Sequence, residues 1–311
     1  MRLAAIDIGS NSIHMIIAEI DGDGTFTIID RQKDMVRLGE RSLVEGRLTD
    51  EAMQRGIDAL QRFKRVADGY RVADIIGVAT SAVRESRNGA DFIERVREEC
   101  GIDARIIEGT EEGRLIYLGA REVFDFGSRR ALIVDIGGGS VEFILADRKR
   151  EYTVHSLKLG VRRLHDELGT LRTHIRERLE HVVREVRRRG FDVVLASSGT
   201  ARALARVTAL RTGGSEGHVT RADLTDTVTQ LATLSNDARA SIPGLEDKRR
   251  DAILEGGVLM QTILESFGGD GYTYCDAAVR EGMIIDYLER NRPGLRVMDT
   301  TPDPRRRSVM L

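Results

Sequence analysis

Two stretches of this chain put a carboxylate at the end of an apolar strand and follow it with a turn of small residues. They are "DIGSNS" at Asp7–Ser12 and "DIGGGS" at Asp135–Ser140. Glycine has no Cβ and tolerates φ > 0, so Gly137, Gly138 and Gly139 can let backbone N–H groups converge on an anion. Ser140 adds a hydroxyl donor, and a phosphate group suits the whole loop. Asp135 would repel a bare phosphate unless a divalent cation lies between them, so the pairing implies Mg²⁺–phosphate, with Mn²⁺ as the alternative ion. Glu142 follows Ser140 by two residues, shares its strand face, and is the second candidate metal ligand. In the first copy Asp7, Gly9, Asn11 and Ser12 are the phosphate-binding candidates. His14 stands where Glu142 stands in the second copy. It reads as a structural hydrogen-bonder or phosphate neighbour rather than a metal ligand.

Three further turns carry chemistry. In "VATSAVRES" a strand runs into Thr80 and Ser81, and Arg84 follows three residues later. Hydroxyls and free N–H groups at a helix start suit an anion that Arg84 could clamp with its planar fork, though an ordinary N-cap would also explain the turn. In "IEGTEEGRLIYLG" Glu111 complements a helix dipole. Glu112 lies three and four residues before Leu115 and Ile116 and is expected on their side of the helix, where it could activate water as a general base. "ASSGTARAL" places Ser198, Gly199 and Thr200 at another strand-to-helix turn, a further phosphate-sized site or a plain cap.

Alternating strands and helices must position these groups. Leu3–Ile8, Ile13–Ile20 and Phe26–Leu38 read as successive strands, and Thr49–Ala67 reads as a helix capped by Thr49. The order restarts near Arg130 with strands at Leu132–Asp135, Val141–Ala146 and Glu151–Leu157, roughly one domain length after the first set. Aligning Asp7 with Asp135 puts Gly9 on Gly137 and Ser12 on Ser140, so the chain reads as two similar α/β halves with mixed sheets. The 311 residues carry a net charge of −2 and two cysteines, Cys100 and Cys275, without metal-ligand spacing. Those features argue against a zinc site, a disulfide framework and non-specific nucleic-acid binding. No apolar run reaches the ~18 residues of a membrane span, and the first residues do not read as a signal peptide, so a cytoplasmic protein without membrane partners is expected. The arginines of "RTHIRERLEHVVREVRRRG" read as a solvated helix face. His165–Asp166 reads as a surface dipeptide.

Taken together the motifs resemble the exopolyphosphatase / guanosine pentaphosphate phosphohydrolase (Ppx/GppA) family of the actin-like and sugar-kinase superfamily. They stand here as Asp7–Ser12, Thr80–Arg84, Gly109–Leu115, Asp135–Glu142, Ser198–Thr200 and Arg280–Gly282, in the family's order and over nearly the whole chain. The resemblance implies two actin-like (ribonuclease H-like) α/β domains with mixed five-stranded sheets flanking a cleft. The domains would span 1–125 and 126–280, with a helix at 281–299 packing back on the first and a flexible tail at 300–311. It implies Glu112 as catalytic base, Arg84 on the scissile phosphate, and Asp135 and Glu142 as Mg²⁺ carboxylates. The activity implied is hydrolysis of the terminal phosphoanhydride of inorganic polyphosphate. The alternatives are guanosine pentaphosphate 5′-phosphohydrolysis, with its link to the stringent response, or a non-catalytic polyphosphate- or alarmone-binding member; a homodimer is a candidate assembly. Gly113 and Val141 replace the family's usual Ala and Thr. The C-terminal helical region of the long members has no counterpart in these residues.

Overall fold

The computed structural model describes residues 1–164 and 168–291. His165–Asp166, the 292–299 part of the expected last helix and the 300–311 tail lie outside them. Two compact units divide the chain: Met1–Asp125 with the segment from Ala277 onward, and Phe126–Asp276. Among the described residues no helix is long and apolar enough to cross a membrane.

The first unit runs β1 (Arg2–Ile8), β2 (Ile13–Ile20), β3 (Phe26–Asp34), α1 (Gly39–Glu45), α2 (Asp50–Gly69), β4 (Asp74–Ala79), α3 (Ser81–Arg84), α4 (Gly89–Cys100), β5 (Ala104–Ile106) and α5 (Gly109–Val123). Its sheet has the order β3-β2-β1-β4-β5, with β1–β2 antiparallel and β1–β4 parallel. β1 is central and covered on both faces, which is why it reads as a continuous apolar run rather than an alternating one. Ile6, Ile8, Met15 and Ile17 face a core completed by Ile57, Leu60, Phe92 and Val96 from α2 and α4. Thr49 caps α2, its hydroxyl accepting from the Ala52 N–H at 3.2 Å.

The second unit runs β6 (Ala131–Ile136), β7 (Val141–Ala146), β8 (Glu151–Leu157), α6 (Leu168–Arg189), β9 (Val193–Ser197), α7 (Ser198–Thr212), β10 (His218–Thr220), α8 (Arg221–Thr233), α9 (Ile253–Phe267) and β11 (Gly271–Tyr274). The order β10-β11-β9-β6-β7-β8 repeats that of the first sheet and adds β10 at the edge, so this sheet has six strands where five were expected. The duplication reaches single residues. Asp7 pairs across the hairpin with His14 as Asp135 pairs with Glu142. Both second strands slip register at equivalent points, between Ile17 and Ala18 and between Leu145 and Ala146. A 3₁₀ turn at Asp247–Arg249 precedes α9, which begins at Ile253.

The chain then returns to the first unit as α10 (Val279–Asn291), which packs along α5 and onto β1. The α5–α10 contact is backbone against backbone. A Cβ on Gly282 would lie 1.9 Å from the Leu115 carbonyl oxygen, and one on Gly119 would lie 2.4 Å from that of Ala278. Gly282 of the Arg280–Gly282 motif is therefore a packing residue. Glu281, 3% exposed, accepts from the Ala278 N–H and from Arg31, which ties the helix start to β3.

Candidate active site

In the first unit the Asp7–Ser12 turn closes with the Gly9 N–H donating to the Ser12 carbonyl at 3.2 Å. A Cβ at Gly9 would come within 3.0 Å of that same oxygen, so the tightness of the turn accounts for the glycine. The parallel β1–β4 pairing sets the next loop beside it: the Thr80 N–H donates to the Ile8 carbonyl, and the Ala82 N–H donates to the Ser10 hydroxyl at 3.1 Å. Thr80 and Ser81 are buried, and the Ser81 hydroxyl donates to Glu85.

Arg84 ends α3 and reaches the start of α5. Its Nη1 donates to the Ile107 carbonyl at 2.8 Å and to Glu112 Oε2 at 3.1 Å. Glu112 is 8% exposed, on the Leu115 and Ile116 side of α5, as its spacing requires. A carboxylate this buried needs a cation close by, and Arg84 supplies it. Only Nη1 of Arg84 is engaged among the described residues, which leaves the Nε and Nη2 edge of the guanidinium for an anion. Glu111, by contrast, is held by Arg105 at the helix start, and that ion pair lowers its pKa.

In the second unit the equivalent turn closes identically, the Gly137 N–H donating to the Ser140 carbonyl at 3.0 Å. None of the three loop glycines takes a positive φ, contrary to the expected use of their freedom. Gly137 keeps the turn tight, since a Cβ there would lie 3.1 Å from the Ser140 carbonyl oxygen. The Gly137, Gly138 and Gly139 carbonyls accept from the Val161 N–H, the Arg162 N–H and Arg163 Nε, and a Cβ on Gly160 would fall 2.4 Å from Gly138 and Gly139 backbone atoms. Asp135 and Glu142 face each other across β6 and β7, 9% and 1% exposed. One oxygen of each is fixed by a serine: Ser197 donates to Asp135 Oδ2 at 2.5 Å and Ser156 donates to Glu142 Oε1 at 2.7 Å.

The strained backbone lies at the third turn instead. Ser198, first residue of α7, has φ 86°, a left-handed value that costs a non-glycine residue about 1–2 kcal/mol. Its hydroxyl accepts from the Thr200 N–H. Over this turn lies a group that sequence reading missed, Arg249. Its guanidinium sits where a Gly199 Cβ would be, 1.7 Å from that position. Burial lowers its pKa, with Arg162 and Arg202 adding to the effect against Glu246. A half-buried cation at a helix start, with Arg162 and Arg202 close enough to act on it, makes this turn a candidate place for negative charge. Arg249 precedes α9 by a 3₁₀ turn, and nothing in its sequence spacing connects it with Ser198–Thr200.

Of the sequence candidates, the structure brings Asp7, Gly9, Asn11, Ser12, Thr80, Ser81, Arg84 and Glu112 to adjoining strand ends of one sheet. It brings Asp135, Gly137–Ser140, Glu142 and Ser198–Thr200 to the corresponding ends of the other. Arg249, Arg162, Ser156 and Ser197 join the second group.

Residues 16–291 match the model of the Ppx/GppA phosphatase family. The chain is 28% identical over 317 aligned positions to exopolyphosphatase 1 of Mycobacterium leprae, covering 97% of this chain and 94% of that one. Among solved structures, an exopolyphosphatase from Cytophaga hutchinsonii superposes with a TM-score of 0.87 at 26% identity, covering 93% and 98% of the two chains. The Aquifex aeolicus Ppx/GppA member gives 0.78 at 27% identity, covering 94% and 99%. With the duplicated actin-like sheets and the motifs at their strand ends, these likenesses make the chain a member of the Ppx/GppA phosphatase family, a hydrolase.

Proposed function

We propose that this protein is an exopolyphosphatase, releasing orthophosphate from the end of inorganic polyphosphate with Mg²⁺ as cofactor. The observation that carries the reading is the buried Arg84–Glu112 pair. It places a carboxylate beside an anion-binding guanidinium, which is what attack of water on a charged phosphoryl group needs. Phosphoryl transfer offers a protein little covalent work, so catalysis rests on positioning and charge. Glu112 orients the attacking water and takes its proton. The Nε and Nη2 edge of Arg84 meets the charge spread over the equatorial oxygens. In the same unit the Asp7–Ser12 turn offers N–H and hydroxyl donors to the remaining phosphate oxygens, and the second unit's Asp135–Ser140 turn carries donors of the same kind.

Asp135 and Glu142 fit Mg²⁺ by their chemistry. They are two hard carboxylates on adjacent strands, each pre-oriented by a serine, and Mg²⁺ typically takes one or two carboxylates and completes its shell with phosphate and water. When bound, the ion would neutralise phosphate charge. Arg249, with Arg162 and Arg202 near it, suits a substrate carrying several phosphates better than a monoester. The test is orthophosphate release, side by side, from polyphosphates of defined length, guanosine pentaphosphate and ATP, with and without Mg²⁺. Mg²⁺-dependent release from polyphosphate above the other two supports the reading. Release from guanosine pentaphosphate alone replaces it with the alarmone reaction.

A further inference from the structure

Across the first sheet, one row of side chains lies on the face that α5 and α10 cover. Asp7 of β1, His14 of β2 and Lys33 of β3 are register partners in that row. The His14 ring has two further contacts. Arg280 at the start of α10 approaches Nδ1 at 2.9 Å, and Ser12 Oγ lies 2.7 Å from Nε2. Arginine has donors and no acceptor, so Nδ1 must present its lone pair. An imidazolium has no lone pair there, and Lys33 and Arg280 both disfavour a further positive charge; Asp7 favours one but cannot supply the missing lone pair. The ring is therefore neutral with its proton on Nε2, and that proton is donated to Ser12 Oγ. Once Ser12 accepts from His14, its own hydroxyl proton cannot point back at the ring.

We infer that His14, anchored by Arg280, is a positioning residue that aims the Ser12 hydroxyl proton outward from the Asp7–Ser12 turn, toward a bound phosphoryl oxygen. A hydroxyl rotor turns freely and donates wherever an acceptor offers itself. Fixing its direction before substrate arrives makes it a dedicated donor. The inference rests on the reading of this turn as a phosphate loop.

A double-mutant cycle and a tautomer measurement test it. His14→Phe should lower kcat/KM for tripolyphosphate about tenfold, the share of one oriented hydrogen bond. Ser12→Ala should cost about as much, and the double variant should be no worse than Ser12→Ala alone. His14→Gln, whose amide can donate to Ser12, should recover part of the loss. An undiminished effect of His14→Phe in the Ser12→Ala background would show a merely structural role and overturn the proposal. Independently of substrate, long-range ¹H–¹⁵N NMR should find His14 as the neutral Nε2–H tautomer from pH 6 to 8. Arg280→Met should release it to a mixture of the two tautomers. An Nδ1–H tautomer or an imidazolium at pH 7 in the unaltered protein would sink the relay. If no phosphoanhydride were hydrolysed, the proposed function would fall, and the tautomer would still decide whether the relay exists.

Discussion

Gly199→Ala separates ligand binding from stability at one position. The new methyl would sit 1.7 Å from Arg249 Nη2 and 2.4 Å from its Cζ, so the guanidinium must leave its place over the α7 start. The atoms in the way are the far end of a flexible side chain, not backbone, and can swing toward water. Gly199 does not need a positive φ, and alanine gains up to about 1 kcal/mol over glycine in a helix. The melting temperature should therefore hold or rise slightly. What is lost is one charge-assisted contact to substrate phosphate, about 1.5–3 kcal/mol. That corresponds to a rise in KM for polyphosphate of about 10- to 100-fold with kcat little changed. Arg249→Met should give the same rise, and the double variant should be no worse than either single one. Steady-state kinetics beside scanning calorimetry measure both halves. A KM within twofold of the unaltered protein would refute the assignment of Arg249 to substrate. A fall of more than about 5 °C in melting temperature would show that the cost lies in packing instead.

Other substitutions probe the remaining parts. Glu112→Gln should lower kcat by about 10²–10⁴ while polyphosphate binding measured by calorimetry survives, the usual share of a general base. Arg84→Ala should raise KM and lower kcat together, because it leaves Glu112 without its buried counter-charge and the phosphate without a clamp. Gly282→Ala drives a methyl to 1.9 Å from a backbone oxygen that cannot move aside, so unfolding should show a loss of about 3 kcal/mol or more. The Cys100 thiol, pushed up to about 11 by burial, should stay protonated and resist iodoacetamide at pH 8 until the protein is denatured; rapid labelling of the native protein would contradict its environment. The same shift means that the unfolded chain ionises first as pH rises, so stability should fall between about pH 9 and 11.

Much of this was legible in the residues because it is local. The hairpin with its Asp, Gly and Ser repeats within about fifteen positions, and alternating side-chain direction alone puts Glu142 near Asp135. Helical spacing alone puts Glu112 on the buried side of α5. The missed features depend on long-range packing. Arg249 reaches Gly199 only because α7 and α9 pack together, where Gly256 approaches Thr200 and Gly257 approaches Leu204. Gly282 stood in a motif with no role assigned to it, and its role shows only when α10 lies against α5. β10 is three residues long and owes its pairing to β11 rather than to any propensity of its own. The left-handed backbone fell on Ser198 and not on the triple glycine, since the sequence names residues that tolerate such a conformation but not the place that requires it.

The central claim is removal of phosphate from the chain end. Polyphosphate of a single defined length, sampled through an early time course with Mg²⁺ and resolved by gel and ³¹P NMR, tests it most directly. Orthophosphate should appear from the first turnovers, and the chains should shorten one unit at a time. Fragments of intermediate length without orthophosphate, or unchanged chains, would contradict it.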